Sequence, residues 1–380
     1  MRESVANFAH VDESRLRLTI MKALAPHPSV AIVGATGAVG REMLTILETR
    51  NFPVSSLRLF ASSRSAGAKI PFRGEAHMVE PLRDSCAEGV DIALFSAGKS
   101  ISRDWAAPFV ASGAFVIDNS SCFRMDAGVP LLIPQVNPEA LDGMRSRGII
   151  AVPNCSTIIA LVAVTPLHRA LGVERMIVST YQAASGAGAA AMQELEQQAH
   201  AFAAGKELAT PIFGRPYLFN LFSHNSAIGE DGFNEEERKL LLETRKIWEA
   251  PSVRVAATCV RVPVLRAHAE SIHLELARST SEAEVRALLS RAPGVRIVDD
   301  RAANRFPEPR DATGGDDVLV GRIRMDPSVP DNRGVMLFVA GDQLRKGAAL
   351  DAVEIAECLL ERFGPRHAHA SSLASAQLAP

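Results

Sequence analysis

The chain has 380 residues, of which 47% are hydrophobic and 22% are charged, a composition typical of a soluble globular protein with room for two or three domains. Its 41 basic and 43 acidic residues give a formal net charge of −2, so overall charge does not favour nucleic acid or an anionic membrane as a partner. The five cysteines are widely spaced and include no C-x-x-C pair, which argues against a disulfide framework and a structural zinc site. We expect no metal site, and a reducing cytoplasm fits these cysteines best.

The two ends of the chain differ in composition from the rest. Residues 1–27 lack the apolar core of a signal peptide, and we interpret them as a flexible extension. Residues 367–380 are small and polar, as in a frayed tail. The longest apolar stretch, around and after Cys155, is interrupted by polar residues and is too short for a membrane span.

A glycine-rich turn lies near the start of the predicted fold. A short apolar strand over residues 30–33 is followed by a G-x-x-G-x-x-G spacing and a helical pattern over 41–47. Glycines permit a tight turn, and a helix N-terminus receives a pyrophosphate, so this order favours dinucleotide binding over a purely structural turn. Strands predicted over 57–61, 91–95 and 115–118 would complete a parallel sheet with its loops at the carboxyl edge.

The loop after the second strand indicates which dinucleotide is bound. An NAD site usually has an acidic residue there for the ribose 2′-hydroxyl, but this chain has Arg64 flanked by serines. A guanidinium with several hydroxyls suits a 2′-phosphate, which favours NADP. The alternative is a solvated loop arginine.

Cys155 lies where an apolar helix is predicted to begin, with Pro153 and Asn154 holding the preceding chain out of the helix. We expect Ser156 or Thr157 to cap this helix. The N–H groups of a helix end favour a thiolate, so Cys155 is posed as a nucleophile. The alternative is a small buried hydrophobe.

The pattern changes beyond Cys155 to mixed strands and helices, which predicts an α+β domain. The predicted strands cover 176–182, 253–260, 272–276 and 335–340, and the predicted helices cover 234–248 and 282–289. Residues 301–317 are interpreted as an exposed loop. A last helix, over 348–360, could return to the nucleotide domain.

Six segments, in this order and spacing, resemble the bacterial aspartate-β-semialdehyde dehydrogenases: 34–40, 95–98, 118–121, 153–157, 181–188 and 261–268. The resemblance implies the NADPH-dependent reductive dephosphorylation of L-aspartyl 4-phosphate to L-aspartate 4-semialdehyde and phosphate, in lysine, threonine, methionine and diaminopimelate synthesis. It implies an α/β fold with a Rossmann-type NADP-binding domain, over 28–154 and 342–366, and an α+β substrate-binding and dimerisation domain over 155–341. A homodimer or tetramer is expected.

The resemblance also implies roles for individual residues. Cys155 would form a thioester with the substrate, His268 would act as general acid/base, and Gln182 would position the substrate. His268 is expected in a loop before the strand over 272–276, whereas His273, on the other face of that strand, is interpreted as structural.

The implied substrate site is charged. Arg261 would hold the α-carboxylate with its planar fork, Glu243 would hold the amino group, and Lys246 the phosphate. The phosphate site would be completed by Arg124 and Asn154. The alternative for Glu243 and Lys246 is an ordinary solvated ion pair. The implied cofactor-binding residues are Gly34, Thr36, Gly37, Ala38, Val39, Gly40, Ser62, Arg64, Ser65, Ser96, Ala97, Gly98, Ser185, Gly186 and Gln343.

Two other functions stay open at this point. N-acetyl-γ-glutamyl-phosphate reductase shares the fold type, thiol chemistry and NADPH, but its blocked amine would make a glutamate for a free ammonium useless. The second open function is that of a catalytically silent NADP-binding protein of this fold. The chain departs from the resembled family at Gln135, where glutamate is more frequent, and at Gln343, where asparagine is common.

Overall fold

The computed structural model describes residues 23–144 and 146–365. Most of the predicted N-terminal extension and the whole predicted tail over 367–380 lie outside the described residues. None of the helices in the described part of the chain combines the length and apolarity needed to cross a membrane.

The first sheet is built from the N-terminal half of the chain. Its strands are β1 (Ser29–Val33), β2 (Ser56–Ala61), β3 (Lys69–Phe72), β4 (Glu75–Pro81), β5 (Ile92–Phe95), β6 (Phe115–Asp118) and β7 (Ile149–Ala151). They lie in the order β3-β4-β2-β1-β5-β6-β7, and all neighbours are parallel except β3 and β4. Strands β1, β5 and β6 are buried along their whole length, as expected for a parallel sheet covered on both faces.

Three helices cover this sheet: α1 (Ala38–Thr49), α2 (Lys99–Ala111) and, from the C-terminal end of the described chain, α8 (Leu350–Phe363). Helix α8 packs against α1 and β6. The predicted return of the last helix to the nucleotide-binding sheet is therefore confirmed.

The second sheet lies between residues 173 and 341. Its strands are β8 (Val173–Gln182), β9 (Phe222–Ser223), β10 (Arg254–Arg261), β11 (His268–Leu276), β12 (Val295–Ile297), β13 (Val318–Met325) and β14 (Gly334–Gly341), and its helices are α4 (Ala189–Ala203), α5 (Glu235–Ile247), α6 (Glu282–Leu289) and α7 (Pro309–Ala312). The strand order is β12-β13-β14-β11-β8-β10-β9. Parallel and antiparallel neighbours are mixed, as predicted for an α+β unit.

Helix α3 (Cys155–Leu171) connects the two sheets. Every residue from Ser156 to Thr165 is buried, which is typical of a helix enclosed on all sides. It contacts β8, β11, β13 and β14, and its apolar residues belong to one hydrophobic core that also includes side chains of the first sheet. The first residue of α3 is therefore fixed from both sides.

Several elements were not predicted from the sequence. These are the β3–β4 pair, α2, β7, α4, β9, β12 and β13, and the short helix α7 within the predicted loop over 301–317. The placement of His268 in a loop is wrong, because it is the first residue of β11, where its backbone pairs with Gly341. Pairing with β14 extends this strand beyond the apolar alternation that starts at Ile272.

Glu270, on β11, is a buried acid inside this second sheet. It is fully buried, and neither of its carboxylate oxygens has a hydrogen-bond partner among the described residues. Burial raises its pKa well above the usual range, and the negative charge of Glu236 raises it further. A carboxyl group in such surroundings is held in its neutral form.

We predict that Glu270→Gln stabilises the protein increasingly as the pH rises. The folded-state pKa is raised, so the stability contributed by Glu270 is fully present below its unfolded pKa and is lost as the pH rises through the folded value. Urea midpoints of wild type and E270Q should agree at about pH 5 and favour E270Q at about pH 9. Glu275→Gln, at a partly exposed position on the same strand, is the control. A midpoint difference that does not grow with pH would contradict the prediction.

Candidate active site

Asn154 caps helix α3 and so positions Cys155. Its backbone is extended (φ −62°, ψ 143°), and its side-chain oxygen accepts from the backbone N–H groups of Ser156 (3.0 Å) and Thr157 (3.4 Å). The prediction that Ser156 or Thr157 caps the helix is therefore wrong. Both hydroxyls are buried inside the helix without a hydrogen-bond partner among the described residues, because the cap position lies one residue before Cys155.

Two carboxylates of α5 hold Asn154 in turn. Its side-chain amide donates to Glu236 Oε1 at 2.8 Å, and its backbone N–H donates to Glu243 Oε2 at 2.6 Å. These two glutamates are two helical turns apart and therefore lie on one face of α5. The position of Cys155 is thus set by helix α5 as well as by α3.

A cavity of about 220 Å³ opens at Cys155. It brings together parts of the chain that are far apart in sequence, including some of the residues predicted to lie near the substrate or the nicotinamide. Its predicted lining residues are Val39, Ser96, Gly98, Arg124, Asn154, Cys155, Ser185, Gly186 and Gln343, and the sequence reasoning missed Asn119, Ser120, Pro153, Leu344, Gly347 and Ala348.

The thiol itself is not acidic in this arrangement. Burial raises the pKa of Cys155 to about 12, and the negative charge of Glu236 also raises it, whereas the positive charges of Arg124, Arg261 and Lys239 lower it. The sequence predicts that the helix end favours the thiolate, but it does not indicate this opposing effect of burial. Desolvation is the larger effect here, and the proton of the thiol must leave during the reaction.

His268 is fully buried. Its Nδ1 accepts from the backbone N–H of Ala183 at 3.1 Å, so in the neutral ring the proton is on Nε2. Nε2 has no hydrogen-bond partner among the described residues. Burial, together with the nearby charge of Arg261, lowers the pKa of His268 to about 3, which keeps the ring neutral with an N–H free to donate.

Gly186 places this ring beside the cavity. A methyl group at position 186 would come within 3.0 Å of His268 Nε2 and 2.9 Å of Arg261 Nη1. Because Gly186 lines the cavity, His268 and Arg261 lie close to the cavity at this residue. Glycine is required there for the backbone to approach both side chains.

Arg124 and Glu243 form a buried ion pair at 3.0 Å. Arg124 also donates to the backbone carbonyls of Val152 and Asn119, each at 2.9 Å. Because these contacts use three of its five N–H groups, two remain for an anion in the cavity.

The predicted roles of Glu243 and Lys246 are not supported by their positions. Both oxygens of Glu243 are bound, one by Arg124 and one by the Asn154 N–H. Lys246 Nζ donates to the backbone carbonyls of Arg124 (2.6 Å) and Asp126 (3.0 Å), and neither side chain lines the cavity. Glu243 and Lys246 instead hold the segment that carries Arg124, and they are not the solvated ion pair considered from the sequence.

Glu236 is the other buried carboxylate of α5 that binds Asn154, and the sequence reasoning missed it. Gln182 donates to it at 3.1 Å and Lys239 at 2.9 Å. Burial alone would raise its pKa, but Lys239, His224 and Asn154 hold the pKa below its usual range. Glu236 is therefore an anion, and its charge acts on Cys155, Arg261 and His268.

A second cavity, of about 510 Å³, lies over the glycine turn. It is lined by Gly34, Thr36, Gly37, Ser62, Ser96 and Ala97 among the predicted residues, and also by Val33, Ala61, Ser63, Pro81, Leu82, Ile101 and Trp105. Ser96 lines both cavities. An elongated ligand could therefore extend from the glycine turn to Cys155.

The local geometry fits a dinucleotide. Helix α1 begins at Ala38 after Gly37 and has no side-chain cap, so the N–H groups of its first turn are available to a pyrophosphate. Gly34 has φ +97°, and a Cβ there would lie 2.5 Å from the Ser96 carbonyl oxygen. Gly40 packs against the backbone of Gly34, which explains the first and third glycines of the motif.

Arg64 lies on a short 3-10 turn over Ser63–Ser65 and is exposed. It does not line the second cavity, although Ser62 and Ser63 do. The Ser65 hydroxyl accepts from the Thr36 hydroxyl at 3.5 Å. In the described part of the chain no group of three or more His, Cys, Asp or Glu side chains could hold a metal ion.

The two departures from the resembled family lie close to the site. Gln343 accepts from the Ala267 N–H at 2.9 Å and donates to the Ser185 hydroxyl, so it fixes two segments around the cavity. Gln135 accepts from the buried Lys346 at 2.6 Å. Lys346 is next to Gly347, which lines the cavity.

Comparisons with known proteins show the family of this chain. Residues 29–144 match the family described as "Semialdehyde dehydrogenase, NAD binding domain" and residues 164–346 match "Semialdehyde dehydrogenase, dimerisation domain". The chain is 51% identical to the aspartate-semialdehyde dehydrogenase of Synechocystis over 88% of this chain and 97% of that protein. It is 48% identical to that of Aquifex aeolicus over 87% and 98%.

Solved structures are similar as well. The crystal structure of aspartate semialdehyde dehydrogenase II of Vibrio cholerae, described as complexed with ASA, is 43% identical and superposes with a TM-score of 0.86, covering 89% of this chain and 99% of that chain. The structure from Pseudomonas aeruginosa described as a probable aspartate-semialdehyde dehydrogenase is 28% identical, with a TM-score of 0.82, over 90% and 100%.

Gly347→Ala should displace the Cys155 thiol. A methyl group at position 347 would come within 2.8 Å of Cys155 Cβ and 3.2 Å of Gln343 Cβ. A small displacement of a reacting group can cost about 10²-fold in rate, so we expect a loss of this size in kcat with a near-native circular dichroism spectrum. Gly143→Ala, where a Cβ meets open space, is the control. Wild-type turnover in G347A would show that the thiol is not held by this contact.

Proposed function

The chain belongs to the aspartate-semialdehyde dehydrogenase family of NADP-dependent oxidoreductases of amino-acid biosynthesis, and we propose that Cys155 is the nucleophile of its reaction. That reaction is the reductive dephosphorylation of L-aspartyl 4-phosphate to L-aspartate 4-semialdehyde and phosphate. One observation carries the assignment. Cys155 begins a buried helix and lines a cavity together with Arg124 and with Ser96, which also lines the cavity over the glycine turn.

The chemistry proceeds through the sulfur of Cys155. The sulfur of Cys155 attacks the acyl carbon, the C–O bond to phosphate breaks, the departing phosphate takes the thiol proton, and a thioester remains on the protein. NADP, in its reduced form, would supply the hydride that reduces this thioester. His268 donates a hydrogen bond from Nε2 to the carbonyl oxygen, where negative charge develops, and the oxyanion collapses to the aldehyde with release of the Cys155 thiolate.

Glu236 connects substrate binding to the ionisation of Cys155. Its negative charge raises the pKa of the thiol, against the positive charges of Arg124, Arg261 and Lys239. An ammonium group bound to Glu236 offsets that charge, which favours the thiolate. The substrate therefore helps to activate its own nucleophile.

We assign the substrate groups to the charged side chains as follows. Arg261 binds the α-carboxylate, and Glu236 binds the ammonium in place of Glu243. Arg124, Asn154 and Lys239 bind the phosphate, with Lys239 in place of Lys246. Gln182, which donates to Glu236, orients that carboxylate. These assignments rest on the position of Glu236 among the reacting groups and on the two free N–H groups of Arg124.

The cofactor extends along the two cavities that share Ser96. The glycine turn over 34–40 and the first turn of α1 bind its pyrophosphate. The nicotinamide lies beside Ser185, Gly186 and Gln343. Arg64, exposed beside Ser62 and Ser65, reaches the 2′-phosphate. We propose that the nucleotide domain covers 28–154 and 342–366 and that the substrate domain covers 155–341.

The protein forms an oligomer through the dimerisation domain. Several large apolar side chains are exposed within it, namely Tyr181, Phe202, Ile212, Phe219, Leu221, Ile228, Phe233, Leu242 and Leu265. We propose a homodimer that buries part of this surface, with a tetramer as the alternative, and a cytoplasmic location. Inorganic phosphate is the proposed second substrate in the reverse direction.

The reaction is tested in the phosphorolytic direction with NADP and phosphate. Aspartate semialdehyde should be turned over with a much higher kcat/KM than N-acetylglutamate semialdehyde, because Glu236 binds a free ammonium group. Cys155→Ser should remove nearly all activity, since a hydroxyl ionises far less than a thiol. Cys358→Ser, on α8 away from the cavity, should keep it. Turnover of only the acetylated aldehyde, or an active C155S, would overturn the proposal.

The two glutamates of α5 should respond differently to substitution. Glu236→Gln should raise the KM for aspartate semialdehyde by about 10- to 100-fold, because a charged hydrogen bond is lost, and should lower thermal stability less than Glu243→Gln, because its cationic partner Lys239 is partly exposed. Glu243→Gln leaves Arg124 buried without its ion-pair partner, which costs about 3–5 kcal/mol, so it should lower the melting temperature. Steady-state kinetics and thermal unfolding of both variants decide this. The reverse pattern would restore Glu243 as the ammonium ligand.

A further inference from the structure

The segment over residues 224–226 lies between β9 and α5 and contacts two of the proposed substrate ligands. Strand β9 pairs with the end of β10, so that Phe222 is opposite Arg261, and His224 N–H donates to the Cys259 carbonyl at 2.8 Å. These backbone bonds hold the segment beside Arg261. No motif in the sequence marks it.

Two side chains of the segment bind the Arg261 guanidinium. Arg261 Nη2 lies 2.7 Å from His224 Nε2, and Arg261 Nε donates to Asn225 Oδ1 at 3.3 Å. An arginine has only donors, so His224 Nε2 must accept. Nδ1 lies 3.0 Å from the Ser226 hydroxyl and 3.2 Å from the Ser226 backbone nitrogen. The contact with Arg261 therefore requires His224 to be neutral.

After its one further contact, the Arg261 guanidinium keeps two N–H groups that could bind a ligand. Nη1 donates to the Ala183 carbonyl at 3.2 Å, so one N–H on each terminal nitrogen is left without a partner among the described residues. Two N–H groups on adjacent nitrogens are what a carboxylate accepts in bidentate fashion. His224, Asn225 and Ala183 therefore determine which guanidinium edge a carboxylate meets.

The same segment also holds the start of α5. The Ser226 hydroxyl accepts from the Glu236 N–H at 3.3 Å, and it is the group that His224 Nδ1 contacts. A continuous chain of hydrogen bonds thus runs from Arg261 through His224 and Ser226 to Glu236. The separation between the cationic and anionic substrate ligands is set along this chain.

We propose that His224 is a positioning residue that makes the enzyme selective for aldehydes carrying an α-carboxylate. It acts through Arg261, and the inference rests on the proposed function of Arg261 as the carboxylate ligand. A neutral ring is essential, because a protonated His224 would face the guanidinium as a second cation. Burial, with the charges of Arg261 and Lys239, lowers the pKa of His224 to about 4, which agrees with this requirement.

The test compares three aldehydes on the full-length enzyme with NADP and phosphate. Aspartate semialdehyde carries both α-substituents, succinate semialdehyde carries only the carboxylate, and 3-aminopropanal carries only the amine. His224→Leu removes the acceptor for Arg261. We expect kcat/KM to fall by about 10- to 100-fold for the two carboxylate-bearing aldehydes and to stay within about twofold for 3-aminopropanal.

Three further variants separate positioning from folding. His224→Gln places an acceptor oxygen near the position of Nε2 and should restore most of the loss. Asn225→Leu removes the second contact and should give the same substrate pattern, so the inference is tested even if H224L folds poorly. His200→Leu, at an exposed position on α4, should behave as wild type with all three aldehydes.

The outcomes that overturn the inference are distinct from failure of the proposed function. An equal loss with all three aldehydes, or no rescue by H224Q, would show that His224 has only a general structural role. Unchanged kinetics in both H224L and N225L would show that Arg261 needs neither contact. If wild type itself did not turn over aspartate semialdehyde, the proposed function would fail instead.

Discussion

The geometry of the site depends on the hydrogen bonds of Asn154. Its side-chain oxygen caps the N-terminus of helix α3, its side-chain amide donates to Glu236, and its backbone N–H donates to Glu243. Buried carboxylates are costly unless they are paired or fully hydrogen-bonded. The two buried carboxylates on α5 therefore require Asn154 at the one position where it can bind both. The residue that follows Asn154 is Cys155, so satisfying these two glutamates also fixes the nucleophile.

The pKa of Cys155 depends on a balance of opposing effects, which the proposed substrate would change. Desolvation favours the neutral thiol, and Glu236 adds to that effect, while Arg124, Arg261 and Lys239 oppose it. A cavity with this balance keeps its sulfur protonated, which limits the chance reactions of a free thiolate. In the proposed function an amino acid derivative supplies an ammonium for Glu236, whereas a simple aldehyde does not. Activation of the thiol and recognition of the substrate are then the same electrostatic event.

Much of this site could be predicted from the sequence, but not which of the two Glu–Lys pairs on α5 contacts Gln182. The glycine turn, the helix at Cys155 and the strand carrying Arg261 follow from local patterns. Glu236 with Lys239 and Glu243 with Lys246 are both E-x-x-K pairs, and two turns separate them, so helical periodicity places both on one face. Only tertiary contacts distinguish them, since Gln182 meets Glu236 and Arg124 meets Glu243. His224 was missed because no local pattern indicates its contact with Arg261, which β9 creates by pairing with β10.

Backbone rather than side chains forms the walls nearest to the reacting groups. Gly347 touches Cys155, and Gly186 touches His268 and Arg261. Gly347 lies in a π-helical turn over Arg345–Ala349 just before α8, and such turns are frequent at functional sites. A hydride donor must approach the acyl carbon closely, and any side chain at these two positions would occupy that space. The buried Lys346, bound to Gln135 and Glu354, holds the π-helical turn in position.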